Sequence, residues 1–183
     1  MPQRPFVQDL GAAAATALAW IAAFHLNEWL FASLALTSYV SLIFLPAGIR
    51  VLSVLLLGRP AVLGLFVGVL VIATPHWQLP AALVPAVISC LAPAVAVAVA
   101  TRSMALRDDL AGITLRQMAI MAALEGAINS VASNLFFWLD GRIPTPWKDV
   151  WPMFTGDLLG TILLLYASAF ALRLLLRLHR PRG

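Results

Sequence analysis

LPAALVPAVISCLAPAVAVAVAT, residues 79–101, contains no charged side chain. An α-helix rises ~1.5 Å per residue, so this stretch is long enough to cross the ~30 Å hydrocarbon core of a bilayer. Its neighbours repeat the pattern. Apolar runs occupy 10–26, 29–57, 60–74, 114–138 and 152–176. Of the 183 residues 62% are hydrophobic and 11% are charged, whereas a soluble domain carries ~25% charge. The chain therefore reads as a single integral membrane domain over 1–183. Its expected fold is all-α, a polytopic membrane helix bundle of about six transmembrane helices. An ordinary soluble enzyme and a disordered chain are both excluded.

Two runs have awkward lengths. The stretch 60–74 is short for a span, which reads as a short or tilted helix. The stretch 29–57 is too long for one straight span and contains Pro46-Ala47-Gly48. Proline removes a backbone donor and clashes with the preceding turn, so a second helix broken near 46–48 is expected, with a re-entrant pair as the alternative. The segment 1–24 has a weak basic start and carries Asp9, so it is read as a retained first helix rather than a cleaved signal peptide.

Basic residues orient membrane helices, because Lys and Arg accumulate in cytoplasmic loops. Six spans place Arg4, Arg59, Arg102, Arg107, Arg116, Arg173, Arg177, Arg180 and Arg182 on one side. Only Arg142 and Lys148 fall on the other. The expectation is a multi-pass protein of a bacterial inner membrane with both termini cytoplasmic. Trp29, Trp77, Trp138, Trp147 and Trp151 all fall at the expected outer interface, where indole rings settle; Trp20 does not. The positive charge is thus accounted for by topology, and no nucleic-acid partner is expected.

Ionisable groups inside a membrane cost at least ~2.5–3.5 kcal/mol at a helix centre, so each needs a partner or a purpose. Three stand well inside the runs, more than three residues from either end: Arg50, Glu125 and Asp157. At ~1.5 Å per residue, Arg50 lies about 10 Å and Glu125 about 16 Å from the inner ends of their helices. An inner Arg50–Glu125 pair is expected. Asp157 and Asn134 are both four or five residues from outer ends, so an outer Asp157–Asn134 contact is expected. Asn129 stands one turn after Glu125. With Ser133 these make a polar stripe that must face the bundle interior. Two readings stay open: structural glue between helices, or a ligand or ion site.

Gly64 and Gly68, and Gly156 and Gly160, are spaced to let backbones approach closely. The sequence holds no GxSxG, HExxH, CxxC, GxGxxG or P-loop motif. His25, His76 and His179 are far apart and Cys90 is single, so no metal or cofactor is expected. No nucleophile with a base is visible, and no enzymatic activity is assigned.

Three stretches together carry a resemblance. They are Phe44-Leu45-Pro46-Ala47-Gly48-Ile49 leading to Leu55-Leu56-Leu57-Gly58-Arg59, then Leu63-Gly64-Leu65-Phe66-Val67-Gly68, then Trp151 through Gly156-Asp157-Leu158-Leu159-Gly160. Over roughly 40–176, in order and spacing, this resembles the first type of membrane-associated sensor domain of bacteria. Arg50 departs from that pattern, where a neutral residue is expected. The resemblance implies a stand-alone sensing module that acts through a partner, a separate cytoplasmic output protein. Two other roles fit the composition. One is an accessory subunit of a larger respiratory or photosynthetic membrane complex. The other is the substrate-binding subunit of an energy-coupling-factor transporter, with the Ala-rich first helix (Ala12 to Ala19) as docking face.

Overall fold

The protein is represented by a computed structural model that describes residues 5–104 and 113–178, without the side chains of 169 and 171–178. Arg4, Arg107, His179, Arg180 and Arg182 lie outside the described residues, as do the side chains of Arg173 and Arg177.

Six helices are present among the described residues: α1 Phe6–Phe31, α2 Pro46–Leu57, α3 Arg59–Ala73, α4 Leu79–Ser103, α5 Leu115–Leu139 and α6 Val150–Leu178. Four regions are long and apolar enough to cross a membrane: Phe6–Leu34, Leu79–Ser103, Leu115–Leu139 and Val150–Ser168. The helix starts follow local rules. Prolines stand in the first turns of α2, α3 and α4, where a missing N–H costs nothing. Thr114 and Gln117 form a reciprocal capping box at the head of α5. Pro85 and Pro93 sit inside α4, as membrane helices tolerate.

The helices alternate in direction. Gly64 and Gly68 of α3 lie against Ala13, Thr16 and Ala17 of α1 in rising order, so α1 and α3 run parallel. α3 packs on α4, α4 on α5 and α5 on α6. α2 touches all five other helices and is the hub of the bundle. Small residues form its contacts: Pro46, Ala47, Gly48 and Ser53 are buried along with Arg50, Val51 and Val54.

The stretch 29–57 corrects the expectation of one broken helix. α1 continues to Phe31, and a 3-10 turn follows over Ala32–Leu34. Two short strands, β1 Ala35–Thr37 and β2 Val40–Ser41, then pair as an antiparallel hairpin. Only from Pro46 does the chain become helical again, so this pass is half non-helical. Here Thr37 and Ser41 offer the backbone a local alternative to the helix ladder. The Thr37 hydroxyl accepts from Tyr39 N–H, and the Ser41 hydroxyl donates to the Ile43 carbonyl. The predicted break at Pro46 is present, but as a helix start rather than a kink. The other spans keep their positions: α3 and α5 shift by one residue, α4 and α6 extend by two residues at one end or both, and α1 exceeds 10–26 on both sides; Gly58 at φ 70° alone separates α2 from α3.

Non-helical backbone at membrane depth must find hydrogen bonds inside the protein. Phe44 N–H donates to the Gly156 carbonyl at 3.0 Å and Leu42 N–H to the Leu34 carbonyl at 3.0 Å. Leu45 N–H donates to the Asn27 side-chain carbonyl at 2.8 Å. A side chain at Gly156 or Gly160 would collide with the carbonyl oxygens of Ser41 and Phe44. The second Gly-x-x-x-Gly pair therefore seats the extended segment rather than another helix.

Candidate functional site

The head of α2 ends among the most polar groups of the interior. Arg50, at its fifth position, is 1% exposed; Glu125 of α5 and Asp157 of α6 are equally buried. Arg50 Nε lies 2.9 Å from Glu125 Oε1, which is the pair expected from depth alone. Arg50 Nη2 lies 2.9 Å from Asp157 Oδ2. One guanidinium therefore bridges two carboxylates on different helices.

Asp157 corrects the sequence reading. Its side-chain neighbour on α5 is Asn129, whose Nδ2 donates to Asp157 Oδ2 at 2.8 Å. Asn134 instead donates to the Ser130 carbonyl at 2.8 Å and to Met153 Sδ at 3.4 Å. Since Met153 meets Asn134 and Asp157 meets Asn129, the antiparallel helices are offset by about one turn from the register expected. The helix ends, Leu139 and Val150, lie within two residues of those expected, so most of the offset comes from the stagger of the two helices across their link, which counting from the ends assumed to be zero. The supposed inner and outer contacts are one cluster. Gly126 lets the two helices meet here, because Phe154 and Asp157 fill the space a side chain would take.

Above the cluster lies a cavity of about 600 Å³. Its floor includes Arg50, Asn129, Ser89 and Ser133, and its walls include Trp20, Phe24, Phe44 and Phe137. Glu28, Tyr39, His76 and Trp77 line it toward the hairpin end. Phe44 also holds the guanidinium of Arg50 5.7 Å from its ring centre. Tyr39 stacks on Phe137 at 4.6 Å and meets Trp77 edge-on. The Arg142 guanidinium covers Trp77 at 4.4 Å and pairs with Asp140 at 2.6 Å. Hydrogen bonds to Tyr39 and then Asp140 push the Arg142 guanidinium above its ordinary range.

The predicted stripe of Glu125, Asn129 and Ser133 does face the interior, and all three are buried. His25 is exposed and His76 is at the cavity rim. Among the described residues no three His, Cys, Asp or Glu side chains are grouped to hold a metal ion. Cys90 is buried in the apolar cluster of Trp20, Leu65 and Ala86. Two contributors were missed from the sequence. Asn27 stands just past the first apolar run, so it reads as a loop residue, yet it is 1% exposed and holds the α2 head. Trp20 was noted only as the odd tryptophan; that misfit with the interfacial belt was the available signal, and it lines the cavity. No protein-family model, curated protein or solved structure gives a significant match to this chain.

Proposed function

We propose that the chain is a non-catalytic sensor module of a bacterial inner membrane. It takes a small molecule into the cavity from the outer side and passes occupancy to a partner protein through α2. The observation that carries this reading is the position of the cavity floor. Of the side chains that line it, Arg50 stands in the second turn of the half-length helix at the hub and Phe44 two residues before that helix begins. A molecule seated there bears directly on an element touching every other helix. Discontinuous membrane helices whose heads face a cavity are a recurring way to build such sites. The resemblance over 40–176 supports the same role. Orientation rests on the positive-inside bias: Arg59, Arg102 and Arg116 mark the cytoplasmic end, and the cavity rim faces the opposite side.

A transport role keeps one supporting observation. Ala13 and Ala17 of the Ala-rich run pack on α3, but Ala14, Ala15 and Ala19 leave a small-residue face of α1 exposed. Both roles need an occupied cavity, and both are tested by filling it. Ser133→Trp projects an indole into the floor. Native mass spectrometry of protein purified from its own membranes should find a small molecule on the wild type and none on Ser133→Trp, at unchanged melting temperature. Equal bound mass in both would remove the cavity from the function. Uptake of that molecule into cells only when a transport ATPase is present would favour transport over sensing.

A further inference from the structure

We propose that Glu125 is a proton-binding site within the membrane, its Oε2–H donating to Asn129 Oδ1, so that the Arg50–Glu125–Asp157 cluster is electrically neutral. The inference goes beyond the sensor reading and does not depend on it.

Charge balance is the first step. Two carboxyl groups meet one guanidinium, and all three are at most 1% exposed. With both acids ionised the cluster would carry one uncompensated negative charge. An isolated buried ion in a low-dielectric medium is so costly that such groups neutralise instead. Among the described residues no other cation pairs with either carboxyl group. Of the charged or titratable side chains on the described elements packed against α5, Arg50 of α2 meets Glu125, and Asp157 of α6 shares the same guanidinium. Cys90 of α4 lies in the Trp20–Leu65 cluster, and Arg102 is at the far end of its helix.

Hydrogen bonding then selects which acid holds the proton. Asp157 Oδ2 receives both the Arg50 Nη2 contact and the Asn129 amide donor, so it is the better supported anion. Glu125 has only the Arg50 Nε contact on Oε1. Its Oε2 is buried without a partner, and so is Asn129 Oδ1. Both are acceptors while Glu125 is ionised, and neither can satisfy the other. Residues four apart on a helix are neighbours on one face. A proton on Oε2 turns it into a donor beside an idle acceptor and removes both deficits at once. Asn129 is thereby used in both directions, donating to Asp157 and accepting from Glu125.

Infrared spectroscopy of purified protein at neutral pH tests the assignment. The wild type should show the carbonyl stretch of one protonated carboxyl, shifting down in D₂O, in sodium-free and in sodium-containing buffer alike. Glu125→Gln should lose the band while keeping the Arg50–Asp157 pair and the fold. Asp157→Asn should lose it too, because one acid then faces one guanidinium and ionises. Asn129→Leu should move it to higher frequency, as the hydroxyl loses its acceptor. A wild-type spectrum without the band overturns the proposal whatever the variants do. So does a band that sodium abolishes, which makes the neutralising ion a metal, or one that survives Glu125→Gln, which places the proton elsewhere.

Discussion

Arg50 is the residue on which the interior turns, since among the described residues it alone faces two carboxyl groups and also packs on Phe44. Breaking a buried ion pair from one side costs ~3–5 kcal/mol, because the remaining charge is stranded. Arg50→Leu should therefore lower thermal stability in detergent by that order, and by much more than Glu125→Gln, which leaves the Arg50–Asp157 contact whole. Asp157 also changes what a rescue should look like. Arg50→Leu with Asp157→Leu should recover more than Arg50→Leu with Glu125→Leu, which leaves the hydrogen-bonded anion without its cation. Equal recovery in a melting series would show the two acids to be interchangeable. At the α2 head, Asn27→Leu leaves the Leu45 N–H unpaired in the interior, an expected loss of ~1–3 kcal/mol readable in the same assay. Sequence depth was enough to pair Arg50 with Glu125, because a long side chain absorbs an error of several ångströms. It was not enough for Asp157, whose short side chain needs the helix offset to within one turn.

Among the elements, the pass over 32–57 resisted sequence reading most. Its composition is apolar throughout, so hydropathy sees a span, while the hydroxyls of Thr37 and Ser41 and the missing donor of Pro46 divert the first half into strand and turn. Spacing alone also left the partner of Gly156 and Gly160 open. The structure places both against backbone carbonyls, Ser41 for one and Phe44 for the other, which cannot retreat as a flexible side chain would. Gly156→Ala and Gly160→Ala should each destabilise by ~1–3 kcal/mol, the range for forcing atoms into a packed interior. Gly11 of α1 has no atom within 4 Å of a would-be side chain. There alanine should be neutral or stabilise by up to ~1 kcal/mol, through the usual helix preference. Comparable melting temperatures for Gly11→Ala and Gly160→Ala would mean that the extended segment does not pack as described.

On the scale of the whole molecule, polarity is inverted relative to a soluble globule. Leu83, Val87, Leu91 and Val95 form an exposed apolar stripe along α4, while its inward face is Ala82, Ala86, Cys90, Ala96 and Ala100. Lipid gives no hydrophobic reason for helices to associate, so close contact through small residues and internal polar bonds must hold them. That inversion is why the membrane class was legible from composition alone, and why the cavity was not: its walls are apolar residues of the same kinds that face lipid. Handedness toward the two sides of the membrane rests on charge asymmetry and has a direct test. Cys90 is buried, so a Cys90→Ala background gives a chain without native thiols. In that background Lys148→Cys, in the exposed link between α5 and α6, should react with a membrane-impermeant maleimide on intact cells whose outer membrane has been made porous. Arg102→Cys, at the opposite end of α4, should react only after the inner membrane is opened. Both side chains are exposed, so a failure to label reflects sidedness rather than burial. The reverse pattern would turn the cavity rim toward the cytoplasm, and with it the direction from which any occupant arrives. Labelling of both positions on intact cells would place them on one side, which a helix packed as α5 is between them cannot allow.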